Sequence, residues 1–97
     1  MNDNLIVTRH SGLVEWLHRH GVDGEIVAQA TPEVVAGKDV YGVLPLHLAA
    51  HAASITTVDM PALRPEQRGV DLTPEEMDAA GATMTTYRVS RPVRKLL

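Results

Sequence analysis

The sequence predicts a small α/β domain of Rossmann-like, three-layer build, with a mainly parallel sheet of about five strands. Three observations predict it. Short apolar, β-branched runs of strand length recur along the chain. Capped or amphipathic helical stretches separate them, which calls for right-handed parallel crossovers. The 97 residues suit one domain, 1–97, whose core must come from Val, Leu, Ile, Ala and Met, because aromatics make up 3% of the chain and Phe is missing.

Taken in order, Leu5-Ile6-Val7-Thr8 reads as a buried strand, followed by a loop, Arg9-His10-Ser11-Gly12. A helix then places Leu13, Trp16, Leu17 and His20 on one face and closes at Gly21. Glu25–Ala28 is a second strand. Thr31 before Pro32 is an N-cap with Pro at the first helical position, starting a short helix or turn through Ala36. Val40–Leu44 is a third strand, and Pro45 opens a helix with Leu46, Ala49, Ala50 and Ala53 as its small apolar face. Ser54–Val58 is a fourth strand, and the segment from Asp59 to Leu72 is mostly loop. Thr73-Pro74-Glu75-Glu76 is a capping-box start for a helix ending near Gly81. Met84–Val89 is the last strand, stopped by Ser90-Arg91-Pro92, and a basic tail with Arg94 and Lys95 follows.

Composition narrows the function classes. Without cysteine there are neither disulfides nor thiolate metal sites. No apolar run approaches the roughly 20 residues that span a bilayer, and Met1-Asn2-Asp3-Asn4 lacks the basic start of a signal peptide, so a cytoplasmic location is expected. A formal charge of −3 argues against coating long nucleic acid, which needs a broad basic face, but allows a small anion held by local groups. A core this poor in aromatics gains from burial against a second copy, so a homodimer is expected.

In an open parallel sheet, ligands sit beyond the carboxyl ends of the strands. That singles out the loops after strands one and three. In the first, Gly12 lets the chain turn, the following helix offers free N–H groups to an anion, and Arg9 can grip a phosphate. His10 supplies a proton donor or acceptor near neutral pH. In the second, Leu44-Pro45-Leu46-His47 places His47 in a first helical turn whose ring reaches the same end of the sheet. Arg64 and Arg68 in the long loop can close over a polyanion or pair with Glu66 or Asp71 in solvent. His51 shares a face with His47, but a third ligand is not evident, so neither a metal nor another cofactor is expected.

Several blocks then stand in a recognisable order: Thr8-Arg9-His10-Ser11-Gly12 with Glu15-Trp16, Gly42 through Ala49, Arg68 through Thr73 with Glu76-Met77, and Tyr87-Arg88-Val89. From Leu5 to about Val89 the chain resembles the small accessory proteins of type III CRISPR systems that form the sixteenth member of the Csx series. It departs in carrying Ser11 where Pro is common, and in its basic tail. The resemblance implies a Rossmann-like homodimer acting as a ring nuclease on cyclic tetra-adenylate. The chemistry needs only an aligned ribose 2′-hydroxyl beside the scissile phosphate, charge stabilisation and proton transfer. Arg9, His10 and His47 are the catalytic candidates, with either histidine as proton shuttle. Thr8, Ser11, Gly12, Leu44, Pro45, Arg64 and Arg68 are the ligand-binding ones.

Three other readings compete. The same pocket could capture a cyclic oligoadenylate without turning it over. A strand followed by Arg9-His10 is similar to the opening of the histidine phosphatases, although Ser11 interrupts their Arg-His-Gly motif and 97 residues is short for that fold. The chain could also be a non-catalytic partner of a defence complex.

Overall fold

A computed structural model describes residues 3–92, so Arg94 and Lys95 of the basic tail, like Met1 and Asn2, lie outside the described residues. The chain runs β1 (Asn4–Val7), α1 (Ser11–Arg19), β2 (Glu25–Val27), α2 (Pro32–Val35), β3 (Asp39–Gly42), α3 (Leu46–Ala49), β4 (Ser54–Asp59), a 3₁₀ turn (Pro65–Gln67), α4 (Pro74–Ala79) and β5 (Thr83–Tyr87). The five strands form one sheet in the order β2-β1-β3-β4-β5. β1, β2, β3 and β4 run parallel, and β5 joins β4 antiparallel. The predicted Rossmann-like α/β build is therefore the observed one.

Alternation along the strands makes the three layers, because successive side chains leave opposite faces of a sheet. Leu5 and Val40 are fully buried on one face, where they meet Ile55, Val35 of α2 and Ala49 of α3. Ile6 goes to the other face and packs with Trp16 and Leu17 of α1, with Leu72, and with Met77 of α4. Each such side chain contributes roughly 1.5–3 kcal/mol when fully buried. Trp16 is the largest of them, and its indole N–H donates to Asp78 Oδ1 at 2.8 Å, so burial leaves no donor unpaired.

Local signals set most boundaries. Thr31 Oγ1 accepts from the amide of Val34 at 3.2 Å at the start of α2. At α4, Thr73 Oγ1 accepts from Glu76 N at 3.2 Å while Glu76 Oε1 accepts from Thr73 N at 3.0 Å, a complete capping box. Every strand differs from the sequence reading by one or two residues at an end, β5 running Thr83–Tyr87 rather than Met84–Val89, and three boundary differences bear on the site. Ser11 and Gly12 belong to the first turn of α1 rather than to a loop. β3 stops at Gly42, whose φ of 139° turns Val43 and Leu44 out of the ladder. Pro45 is the N-cap of α3, which lasts only four residues, because the Ala53 amide must donate to Lys38 O at 2.8 Å to start β4.

The segment joining β4 to β5 positions the site. It leaves β4 at Asp59 and returns at Thr83, which is paired with Asp59, so it starts and ends at one rim of the sheet. The Ala62 amide closes its base on Ala80 O at 2.9 Å. β5 is therefore antiparallel, since an excursion that returns to its own rim cannot be a crossover.

Arg19 clasps α1 to this excursion, with Nη1 donating to Glu75 Oε1 at 2.9 Å and Nη2 to Glu15 Oε1 at 3.2 Å. The hydrogen bond from Arg19 holds the Glu75 carboxyl below its ordinary range. A carboxylate whose folded-state pKa is depressed stabilises fully above its unfolded value and loses that contribution as pH falls through the folded one. Glu75→Gln should therefore lower the urea midpoint slightly near neutral pH. The gap from wild type should close as the pH falls through that lowered folded-state pKa, measured by denaturant titration at several pH values. Trp16→Ala should cost about 3–5 kcal/mol, followed by far-ultraviolet circular dichroism because the chain's one Trp is then lost.

Candidate functional site

β1 and β3 are neighbours, Val7 opposite Gly42, yet the chain leaves them for opposite faces: β1 feeds α1, which packs with Ile6, and β3 feeds α3, which packs with Leu5. Such a divergence opens a crevice at the carboxyl ends of the strands. A cavity of about 370 Å³ lies there, within the size range of small-molecule sites. Thr8 and His10 border it from the β1 side, Gly42 and Val43 from β3, and Gln67 and Asp71 from the long excursion. Its walls are otherwise apolar, with Leu13, Val58, Met60 and Leu63 among them.

The loop between β1 and α1 is held by its own first residue. The Thr8 amide donates to Val27 O at 3.0 Å, extending the strand ladder, and Thr8 Oγ1 accepts from the His10 amide at 3.0 Å. That turn sets His10 at the N-cap of α1, but the imidazole makes no capping hydrogen bond. The cap comes from far along the chain. Asp71 Oδ1 accepts from the Gly12 amide at 3.3 Å, and Oδ2 accepts from the Ser11 hydroxyl at 3.2 Å. The same carboxylate stands 3.9 Å from His10 Nδ1, with both side chains about half exposed (53% and 47%).

This arrangement changes the role assigned to Gly12. Its backbone does not need a left-handed turn. A Cβ there would stand 1.7 Å from Leu72 O, so the missing side chain is what lets the excursion seat on α1. The Gly12 amide, expected to face an anionic ligand, faces a carboxylate of the protein itself. The amides of Ser11 and Leu13 keep no hydrogen bond among the described residues and remain the loop's available donors.

The other candidates spread around the rim. Arg9 is exposed and makes no ion pair or hydrogen bond among the described residues. Leu44 packs into the core beneath α2 and α3, while Pro45 and His47 are exposed on the α3 side of the crevice and do not line it. Arg64 is turned to solvent, with Nε 3.3 Å from Gln67 Oε1 and 3.4 Å from Glu66 Oε1, so it takes the solvent pairing rather than the ligand edge. Arg68 borders a separate shallow depression with Asp59 and Thr83, farther along the same rim. Of the proposed residues, then, Thr8 and His10 line the crevice, with Ser11 and Gly12 behind them.

Asp71, Gln67 and Gly42 are the residues that sequence reasoning did not assign to a site. One signal points to Asp71: it lies two residues before Thr73, which already caps the next helix, so its carboxylate has no local N-terminus to serve. For Gln67 no comparable signal exists. Among the described residues no three His, Asp or Glu side chains are gathered to hold a metal ion, and no helix is long and apolar enough to cross a membrane.

A family model described as a putative CRISPR-associated protein (Cas_VVA1548) matches residues 5–90. No curated protein and no solved structure matches the chain.

Gly12→Ala should destabilise the fold by about 1–3 kcal/mol or more, because Leu72 must retreat from the new methyl group. Ser11→Ala, which removes one donor to an exposed carboxylate, should cost well under that. Denaturant melts of the two variants check the contrast.

Proposed function

The chain belongs to this CRISPR-associated family, and from that premise we propose that it is a ring nuclease that binds cyclic tetra-adenylate and cleaves it. The observation that carries the reading is the crevice between β1 and β3. Its floor is apolar, and Thr8, His10 and Asp71 stand together at its mouth. An adenine face suits apolar walls, and a phosphodiester suits a mouth bordered by a histidine, with Arg9, unpaired among the described residues, beside it in sequence. The order of sequence blocks from Leu5 to Val89, which resembles the small type III accessory proteins of the Csx series, supports the choice of substrate.

In the proposed reaction the ribose 2′-oxygen attacks the adjacent phosphorus and forms a 2′,3′-cyclic phosphate. The bond to the 5′-oxygen breaks, and that oxygen leaves as a hydroxyl. One proton must leave the 2′-hydroxyl and one must reach the 5′-oxygen. His10, bordering the crevice, is the better placed of the two histidines for the first transfer, and such catalysis is worth about 10²–10⁴-fold. His47, across the rim on α3, is a candidate for the second. Arg9 and the amides of Ser11 and Leu13 offer positive charge to the phosphorane.

A homodimer belongs to the same proposal. Val43 and Leu46 are 83% and 74% exposed at the β3–α3 rim, and β5 is an exposed edge strand carrying Met84 and Tyr87. Apolar groups of this size favour cover by another surface, and a second copy would bring two crevices to one symmetric ring.

One observation favours a second reading, capture without turnover. His47 stands outside the crevice, and apolar groups make most of the crevice wall. A single experiment separates the two. The protein is incubated in chelator with cyclic tri-, tetra- and hexa-adenylate, and products are resolved by chromatography. The nuclease reading expects the tetra-adenylate ring to open to linear or di-adenylate species ending in a 2′,3′-cyclic phosphate. A ring that stays bound and intact for hours at excess protein leaves capture alone. Arg9→Ala should weaken binding under either reading, whereas His47→Ala should slow cleavage and spare binding.

A further inference from the structure

We infer that Asp71 is a positioning residue that fixes the His10 imidazole for proton transfer at the crevice mouth, an assignment that rests on the ring-nuclease reading. Asp71 reaches this place through the fold alone, since it lies 61 positions after His10 in sequence. Its carboxylate is itself immobilised. Oδ1 takes the Gly12 amide and Oδ2 takes the Ser11 hydroxyl, both from the first turn of α1. The positive end of the α1 dipole favours the anion there. His10, in contrast, is held by its backbone, through the hydrogen bond from its amide to Thr8 Oγ1, and its ring makes no hydrogen bond among the described residues.

A fixed carboxylate beside a free ring makes the carboxylate the guide. At 3.9 Å the pair is wider than a hydrogen bond. Such contacts often tighten only when substrate closes over them. Oδ1 lies on the Nδ1 side, so the proton of a neutral imidazole is drawn to Nδ1. Nε2 is then left as the acceptor for the ribose 2′-hydroxyl proton. When that proton arrives, the resulting imidazolium faces a negative charge at its other nitrogen. No other carboxylate lies within ion-pair distance of His10 among the described residues, and Arg9, its chain neighbour, is unpaired.

Asp71→Asn tests this without loosening the fold. The carboxamide oxygen still accepts from the Gly12 amide, and its NH₂ can meet the Ser11 hydroxyl, so the clamp on α1 survives while the charge goes. Single-turnover cleavage of cyclic tetra-adenylate by D71N should fall about 10–100-fold, with affinity for the ring within about threefold and the melting temperature nearly unchanged. The double variant D71N/H10A should be no slower than H10A, because the two act as one unit. The inference is overturned by wild-type rates in D71N, by losses that multiply in the double variant, or by tighter ring binding at an unchanged rate, which would mean that Asp71 merely repels phosphate.

A second readout does not need activity. Long-range ¹H–¹⁵N NMR of the ring should find His10 protonated mainly at Nδ1 in the wild type and in D71N, whose carboxamide oxygen still faces Nδ1, and shifted toward Nε2 in D71A, which leaves no acceptor there. Should the wild type fail to cleave any ring, the proposed function falls. The tautomer comparison then still decides whether Asp71 orients His10.

Discussion

The seating of Leu72 and Asp71 on the first turn of α1 is the contact on which the rest depends. The excursion from β4 to β5 leaves and returns at one rim, so the sheet ladder alone does not hold it down. Its anchor is Gly12, where the Leu72 carbonyl occupies the space a Cβ would take. Leu72 then drops into the core with Ile6, Trp16 and Met77, and Asp71 caps the helix beside it. One short stretch thus buries apolar surface, takes one amide of a helix N-terminus and closes one wall of the crevice. Losing it would open the site and expose the Trp16 face together.

The crevice follows from sheet order. Because β1 and β3 are adjacent and their connections part to opposite faces, the rim above Val7 and Gly42 is left uncovered by either helix. Helix α1 and the excursion wall it on one side, while α3 stays on the other. This explains why His10 borders the cavity and His47 does not, although both follow carboxyl ends of neighbouring strands. Strand order fixes which rim a loop occupies; which face its helix takes decides what a side chain on it can reach.

Elements whose cause is local were legible in the sequence. Thr31 and Thr73 cap the helices they precede, Gly21 closes α1, and β-branched runs form the strands, because each depends on residues within one turn. The boundaries that shifted have distant causes. α3 is cut short by the bond from Ala53 to Lys38, and β3 ends at Gly42, where a Cβ would stand 2.3 Å from Val7 O. The site was half legible for the same reason. Thr8 and His10 are placed by their own loop, whereas Asp71 and Gln67 enter through an excursion with little regular structure, whose docking no periodicity announces. Gly12 reads in the sequence as a turn residue, whereas a distant carbonyl is what requires it.

The cap at α1 also bears on where an anion can sit. A helix N-terminus attracts phosphate because its amides lack partners. Here Asp71 has taken the Gly12 amide, and its charge already answers the helix dipole. A phosphate drawn to this rim must therefore be held by groups beside the helix end: the amides of Ser11 and Leu13 and the guanidinium of Arg9, which have no partner among the described residues, and, farther out, Arg68. The crevice interior offers Leu13, Val58, Met60 and Leu63 instead of charge. Polar groups are thus sorted to the mouth and apolar ones to the floor. A nucleotide has the same division, an anionic ester at one end and a flat apolar ring face at the other. On that reading the carboxylate keeps phosphate out of the helix end and beside His10, where its neighbouring ribose hydroxyl can meet the imidazole.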